Sequence, residues 1–255
     1  MKIRLFTSSH AEKDKKRAEE LGESLRRNVA NPEIDEICLL VEGDQGSTRP
    51  ESQKVLTRTI PRRPRYEDFF DWIGDVAHGT DVSIIANSDI YFDEQLAIYR
   101  TWRPANKVAL CLSRWEAAQN EPQLNDRNDS QDTWVFFHKV DSVAGDFPVG
   151  VPRCDNRLAH ELEAAGYRVI NPAFSLRTYH LHSGQRQEYS VENRDRFVEP
   201  PYKYIWPHNL WSLPRTIAYN IQHPRSRVLW RLDRREVSRK LRLHWVTKVY
   251  HALQR

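Results

Sequence analysis

The chain has 255 residues, of which 39% are hydrophobic and 29% charged, and its formal net charge is +4. This composition supplies enough apolar residues for a core and excludes a wholly disordered chain, and the apolar runs are too short to cross a bilayer. The first ten residues lack the apolar stretch of a secretory signal, and three widely spaced cysteines, Cys38, Cys111 and Cys154, indicate reduced thiols. We therefore expect a cytoplasmic protein of one large domain or two small ones.

Positive charge is concentrated towards the carboxyl end of the sequence. Residues 203–255 carry 12 Lys and Arg against 2 Asp and Glu, whereas residues 1–202 carry 27 against 33. The same stretch holds four of the eight tryptophans, namely Trp206, Trp211, Trp230 and Trp245. An acidic body with a basic, aromatic tail indicates that the tail seeks anionic partners.

Short apolar runs alternate with segments of helical periodicity over the first 170 residues. Strands are predicted over residues 2–6, 37–41, 54–60, 81–86, 108–112, 133–137 and 167–170. Helices are predicted over residues 11–29, 66–76 and 155–165. Most of the strands are continuously apolar, which is typical of a mostly parallel sheet covered by helices on both faces. The sequence therefore predicts an α/β fold.

The last quarter of the sequence has a different character. Five prolines fall between residues 200 and 224 and predict an extended wrap, which a basic amphipathic helix over residues 225–253 follows. We therefore expect residues 1–200 to form the main domain and residues 201–255 to form the wrap and helix. Two interpretations of that helix stay open, namely contact with an anionic membrane surface or packing of its apolar positions on the body.

Small polar residues follow two of the predicted strands, where ligands of open α/β sheets bind. Thr7 and Ser8 follow the first strand, and Asn87, Ser88 and Asp89 follow the fourth in the segment IIANSDIYF. A carboxylate held between two buried runs suits a divalent cation such as Mn²⁺ or Mg²⁺ that also binds phosphate. The same three residues are equally typical of an ordinary turn.

Further along the chain, an acid and two histidines are candidates for chemistry. Asp155 opens the segment CDNRLAHELEAAGY, where it acts either as a general base or only as a favourable charge at a helix N-terminus. His180 and His182 share one face of a short strand, where either could bind metal together with Asp89. Their alternative role is ordinary hydrogen bonding.

Three arginines and a second acid complete the candidates. Arg62, Arg63 and Arg65 lie in a proline-stiffened loop at a strand end, which suits a diphosphate or else forms a solvated basic loop. Asp132 precedes an apolar run and could bind an acceptor hydroxyl, act as an alternative base or cap a turn. The sequence lacks GxGxxG after the first strand and lacks GxxxxGK[ST], which argues against the common dinucleotide and P-loop sites.

Taken in order, the segments NSDIYFD, LSRWE, SQDTWVF, CDNRLAHEL and HLHS resemble motifs of the GT-A fold nucleotide-sugar glycosyltransferases. The likeness covers roughly residues 1–185 and is to inverting, family 2-like enzymes and a small group of bacterial and viral ones. In it, Asp89 matches the last acid of the DxD-type motif. Asp155 matches the second acid of a pair whose first position is Cys154 here, and the HLH segment matches the histidine that joins the metal.

The resemblance implies a GT-A sheet and sugar transfer with inversion, from a nucleotide-diphosphate sugar to a glycan or lipid-linked acceptor in cell-surface polysaccharide or glycan biosynthesis. It implies that Asp89 holds Mn²⁺ or Mg²⁺ and that Asp155 takes the proton of the acceptor hydroxyl. The nucleotide-binding residues would be Thr7, Ser8, Arg62, Arg63, Arg65, Asn87 and Ser88. The sugar or acceptor pocket would be lined by Arg114, Trp115, Asp132 and Trp134.

Two other functions compete with this one. A sugar nucleotidyltransferase would need a glycine-rich phosphate loop after the first strand, and FTSSHAEKDKKR contains no glycine. A non-catalytic protein that binds nucleic acid or another anion would use the basic tail, but the rest of the chain is acidic. We therefore expect no nucleic-acid partner, and within the leading hypothesis the tail would touch the inner face of the membrane.

Overall fold

The computed structural model describes residues 1–43, 50–104, 107–117, 121–181 and 197–222. The elements in chain order are β1 (Ile3–Ser9), α1 (Lys15–Ala30), β2 (Glu36–Glu42), β3 (Val55–Ile60), α2 (Tyr66–Val76), β4 (Val82–Ala86), β5 (Ile90–Tyr91), a 3-10 turn (Glu94–Ala97), α3 (Ile98–Thr101), β6 (Val108–Leu112), β7 (Trp115–Glu116), β8 (Gln123–Leu124), β9 (Thr133–Phe136), α4 (Cys154–Ala164), β10 (Arg168–Ile170), β11 (Tyr179–His180) and α5 (Leu213–Gln222).

Seven strands form the central sheet, in the order β10-β6-β9-β4-β1-β2-β3. All neighbouring strands are parallel except β9, which runs antiparallel to both β4 and β6. The predicted α/β fold with a mostly parallel sheet is confirmed. The reversal of β9 pairs its first residue, Thr133, with the last residues of β4 and β6, Ala86 and Leu112. One edge of the sheet therefore collects the ends of β4 and β6 and the start of β9.

Alternate residues of the central strands point to two separate cores. Phe6 and Ile85 pack on one face with side chains of α2 and α4, whereas Leu5 and Ile84 pack on the other face with side chains of α1 and α3. Continuous apolar runs in the sequence are thus explained by burial on both faces. The three cysteines are buried free thiols in the core.

A second, small sheet stands beyond this edge, in the order β5-β11-β7-β8. It pairs His180 of β11 with Ile90 of β5 on one side and with Glu116 of β7 on the other. All four of its strands are two residues long, so they leave no periodic pattern in the sequence. The sheet matters because it brings His180 close to the residues that follow β4 and β6.

The proline-rich segment is held against the body as an extended wrap over residues 197–212 only. The prediction of an extended chain up to residue 224 is wrong for residues 213–222, which form α5. Backbone N–H groups of Lys203 and Ile205 donate to the carbonyl oxygens of Asn156 and Asn128, each at 2.9 Å. Ile205 is buried in the core beside α4. The division of the chain at residue 200 stays a prediction, and the helix expected over 225–253 lies outside the described residues. Within the described part of the chain, every helix is too short or too polar to cross a bilayer.

Candidate functional site

The polar residues that follow β4 and precede β9 are joined directly. Asn87 donates through its backbone N–H to the carbonyl oxygen of Asp132 at 3.0 Å and through Nδ2 to Asp132 Oδ1 at 2.8 Å. Asp132 N donates in turn to the carbonyl oxygen of Leu112 at the end of β6. The sheet edge therefore fixes Asp132 between two parallel strand ends, as the reversal of β9 requires.

From Asp132, a chain of charged side chains crosses to the small sheet. Arg114 donates through Nη1 to Asp132 Oδ2 at 2.8 Å and through Nε to Glu116 Oε1 at 2.6 Å. Glu116 Oε2 lies 2.6 Å from His180 Nδ1, and His180 Nε2 lies 3.0 Å from Asp89 Oδ2. The predicted residues Asp89, Arg114, Asp132 and His180 thus form one hydrogen-bonded network, in which Glu116 is the link that sequence analysis missed.

Arg17 is a second residue that sequence analysis missed. It reaches from α1 to form an ion pair with Asp89 Oδ2, and it also pairs with Glu20 at 3.2 Å. In the sequence it stands among other charges of a solvent-facing helix, so nothing distinguishes it from its neighbours. Its guanidinium places a fixed positive charge beside the carboxylate predicted to hold a metal.

The network sets the charge states of its members. Burial opposes ionisation of Glu116, but the hydrogen bonds and charges of His180 and Arg114 outweigh it and lower its pKa to about 2. Burial likewise opposes the charged form of His180, yet Asp89 and Glu116 raise the pKa of this imidazole above its usual value. The network therefore holds Glu116 ionised at neutral pH.

Asp155 is an acid near this edge whose pKa is raised. It lies in the first turn of α4, and its Oδ2 accepts a hydrogen bond from Gln131 N at 3.0 Å. Burial is the largest cause that raises its pKa to about 7, although part of the residue stays accessible, and the charges of Asp132 and Asp129 add to the rise. A carboxylate with a pKa near neutrality is suited to accept a proton at physiological pH.

A cleft beside the end of β1 brings together three of the predicted nucleotide-binding residues, Thr7, Ser8 and Ser88. Ala18 and Leu21 of α1 also line this cleft. Thr7 Oγ1 is buried and has no hydrogen-bond partner among the described residues. The cleft therefore offers polar groups at the strand end beside an apolar surface of α1.

The three predicted arginines lie elsewhere on this side of the sheet, in the loop between β3 and α2. Arg62 makes a two-pronged ion pair with Asp68, at 2.6 and 3.0 Å, and Arg65 pairs with Asp146. Arg63 is exposed. In the described part of the chain, none of these arginines lines the cleft of Thr7 and Ser88.

Of the two tryptophans predicted to line the sugar pocket, only Trp115 lies at a partly exposed position. Trp115 is partly exposed, donates through Nε1 to the carbonyl oxygen of Ala173 at 2.9 Å, and has the Arg177 guanidinium 4.2 Å from its ring centroid. Trp134 is fully buried and meets Tyr66 edge to face at 5.1 Å. The prediction that Trp134 lines a sugar pocket is wrong, because the alternation of β9 turns this ring into the core beneath α2.

The buried position of Trp134 can be tested by the stability of variants at this residue. We expect Trp134→Ala to lower the free energy of unfolding by about 3–5 kcal/mol, since it removes a large buried ring. Trp134→Phe should lower the free energy of unfolding far less, because Trp134 Nε1 has no hydrogen-bond partner among the described residues. It should leave substrate affinity unchanged, because the ring lies in the core. Urea unfolding and ligand titration of both variants provide the measurement. A weaker substrate affinity in a fully folded Trp134→Phe protein would restore the pocket role.

The donor set around Asp89 fits a divalent cation shared with a second ligand. His180 Nδ1 lies against Glu116 while Nε2 faces Asp89, which is how a carboxylate orients a metal-binding imidazole. Among the described residues, no group of three or more His, Cys, Asp or Glu side chains is placed to hold a metal ion. Phosphate oxygens and water would therefore have to supply the remaining ligands. His182, the other predicted ligand, lies outside the described residues.

No family model matches the chain, and neither does any curated protein. Among solved structures, the chain is similar to a mannosyltransferase of Pyrobaculum calidifontis, PcManGT, in complex with GDP-Man and Mn²⁺, at TM-score 0.48 and 12% identity over 74% of this chain and 58% of that chain. It is also similar to S. aureus TarS in complex with UDP-GlcNAc, at TM-score 0.45 and 8% identity over 75% and 61% of the two chains.

A third similar structure is of another kind, the 2-C-methyl-D-erythritol 4-phosphate cytidylyltransferase of Francisella tularensis. It matches at TM-score 0.41 and 12% identity over 67% of this chain and 90% of that chain. This chain thus spans less than two thirds of the first two structures and most of the third. All three TM-scores are below 0.5.

Proposed function

We propose that this protein transfers a glycosyl group from a nucleotide-diphosphate sugar to a hydroxyl group of a glycan or lipid-linked acceptor, with inversion at the anomeric carbon. The observation that carries the proposal is Asp155, a partly exposed residue at the ligand-binding edge of an α/β sheet, whose buried carboxyl group has a pKa of about 7. Gln131 and Asp132 connect it to Asn87, and Asn87 is two residues from Asp89. Base and phosphate-binding residues therefore share one edge.

In this reaction, the ionised Asp155 takes the proton of the acceptor hydroxyl. The acceptor oxygen then forms a bond to the anomeric carbon while the bond from that carbon to the diphosphate oxygen breaks on the opposite face. A single displacement of this kind inverts the configuration. The hydrogen bond from Gln131 N holds one carboxylate oxygen in place, so the base has a fixed direction.

The leaving nucleoside diphosphate requires positive charge on the other side of the sugar. Asp89 and His180 would hold Mn²⁺ or Mg²⁺, which acts as a Lewis acid on the diphosphate oxygens when bound. Arg17 adds a guanidinium beside Asp89. Arg62, Arg63 and Arg65 remain proposed diphosphate ligands, and Arg62 and Arg65 would have to exchange their present carboxylate partners for phosphate.

The remaining site residues would bind the nucleotide, the sugar or the acceptor. Thr7, Ser8, Asn87 and Ser88 would bind the nucleotide, of which Thr7, Ser8 and Ser88 line the cleft at the end of β1. Arg114, Trp115 and Asp132 would face the sugar or the acceptor. The reaction would serve polysaccharide or glycan biosynthesis at the cytoplasmic face of a membrane, where lipid-linked acceptors are reached.

A thermal-shift screen of UDP-, GDP-, dTDP- and CMP-sugars, each with and without Mn²⁺, tests the proposal. We expect one nucleotide class to raise the unfolding temperature in a Mn²⁺-dependent way, and proton NMR of the product to show the inverted anomer. Pyrophosphate release from a nucleoside triphosphate and a sugar phosphate would instead establish a nucleotidyltransferase. Salt-sensitive binding of random oligonucleotides without sugar-nucleotide binding would establish a nucleic-acid-binding protein.

The role of Asp89 can be tested separately by Asp89→Asn, which keeps the size and hydrogen-bonding oxygen of the side chain. We expect the Mn²⁺-dependent affinity for the nucleoside diphosphate to fall by about 10- to 100-fold. Isothermal titration calorimetry with and without Mn²⁺ measures the change, and Asp75→Asn, at an exposed pair with Arg58, is the control. Equal affinity of the wild-type protein with and without the cation would refute the metal site.

A further inference from the structure

Helix α5 carries an apolar stripe that faces away from the body. Leu213, Ile217 and Ile221 recur every four residues and therefore share one face of the helix, and they are 71%, 49% and 71% exposed. Trp211, just before the helix, is 56% exposed, although one side of its ring meets the ring of Trp102 edge to face at 5.8 Å. We call these four residues the α5 surface. Within the described residues, only Met1 and Leu56 are comparably large and exposed apolar side chains.

The attachment of α5 to the body uses a different face of the helix. Thr216 Oγ1 accepts a hydrogen bond from Asn209 N at 2.9 Å, and the Tyr219 ring lies 4.3 Å from the Phe174 ring. A surface helix ordinarily turns its apolar stripe inward and its polar residues to water. Here the polar Thr216 faces the wrap, and the aliphatic residues stand outward. A clustered, outward apolar surface of this kind marks an interaction site.

Charge indicates which partner fits the α5 surface. Residues 223–255, which follow the helix directly in the sequence, contain ten Lys and Arg against two Asp and Glu. Arg215 adds an exposed cation within the helix. A partner must therefore offer both an apolar interior and negative charge. A bilayer with anionic headgroups meets both requirements.

Size argues against a second copy of the chain as the partner. A helix of ten residues is about 15 Å long, and a stable protein interface buries about 1,200 Å² or more. One short stripe with a single tryptophan supplies only a small part of that area. Insertion into a lipid interface requires no matching protein surface.

We propose that the α5 surface inserts into the interface of a membrane leaflet that contains anionic lipids, and that the basic sequence after it adds electrostatic attraction. The bilayer would be touched at one side of the molecule, through Trp211, Leu213, Ile217 and Ile221. This inference is independent of the sugar-transfer reaction, because it uses none of the residues assigned to that reaction.

Flotation of the full chain with lipid vesicles tests the inference. We expect binding to phosphatidylcholine vesicles with about 30% phosphatidylglycerol, weak binding to pure phosphatidylcholine, and loss of binding at high salt. The triple variant Leu213→Ser, Ile217→Ser, Ile221→Ser should bind at least about tenfold more weakly. Leu56→Ser, at an exposed apolar position on β3, is the matched control and should bind like the wild type.

Several results would overturn the inference. These are absence of vesicle binding by the wild type, equal binding to neutral and anionic vesicles, or a triple variant that binds unchanged. A dimer by light scattering that the triple substitution converts to a monomer, without vesicle binding, would assign the surface to a second copy. Should the triple variant not fold, brominated lipids must quench the fluorescence of the wild type more than that of Trp211→Phe; equal quenching would also contradict the inference.

Discussion

Replacing Asp155 by Asn is expected to lower the rate of sugar transfer by about 10²- to 10⁴-fold while the affinity for the nucleotide sugar stays nearly constant. An amide cannot accept the proton of the acceptor hydroxyl, but it keeps the shape of the carboxylate and an oxygen for the hydrogen bond from Gln131 N. The loss should therefore appear in kcat. Glu161→Gln is the control, since Glu161 lies on the same helix and pairs with Arg157.

The pH dependence of the transfer rate is a second test of Asp155 as the base. Because the base must be ionised and the pKa of Asp155 is about 7, the rate should rise with pH through neutrality and level off above it. Asp132→Asn removes a neighbouring negative charge, so it should move this rise to lower pH. Wild-type turnover in Asp155→Asn, or a profile that Asp132→Asn leaves in place, would refute Asp155 as the base.

Replacing Arg114 by Gln is expected to lower the free energy of unfolding by about 3 kcal/mol. Its guanidinium lies between Asp132 and Glu116, and its removal leaves two ionised carboxylates without their shared cation. The expected loss in the free energy of unfolding is at the lower end of the range for buried pairs, because the Glu116 side chain is about one third exposed. Arg114→Lys should lose less, since an ammonium group can replace one of the two contacts.

Urea unfolding at pH 7 measures this effect, with Arg62→Gln as the control. Arg62 also bridges to a carboxylate, Asp68, but at an exposed site, so its loss should cost less than about 1 kcal/mol. Similar losses in Arg114→Gln and Arg62→Gln would show that the network crossing to the small sheet is not a buried electrostatic unit.

The sequence predicts the larger elements well because they leave strong patterns. The predicted helix over residues 66–76 coincides with α2, and the predicted strand over 108–112 coincides with β6. The helix has apolar residues at helical spacing, and the strand is a short continuous apolar run. The two-residue strands and the direction of β9 could not be predicted, since so short a strand has no period and an apolar run has no direction.

The sequence identifies site residues that follow the ends of predicted strands. It does not identify partners that come from distant segments of the chain. Asp89 is predicted because ligands bind at the carboxyl edge of such sheets, and Asp132 because it directly precedes an apolar run. Arg17 is 72 positions away from its partner Asp89 in the sequence, and only the packed fold brings them together. Trp134 was misassigned because an apolar run buried on both faces does not reveal which face a residue occupies.

The raised pKa of Asp155 has a consequence for the whole molecule. The folded protein holds this proton more tightly than the unfolded chain, whose aspartates titrate near 3.8, so ionising Asp155 favours unfolding. The stability that this residue contributes is intact below pH 4 and is lost progressively as the pH rises to about 7, by up to about 4 kcal/mol. The contribution of Asp155 to stability is therefore smallest at the pH at which its carboxylate is ionised and ready to act as a base.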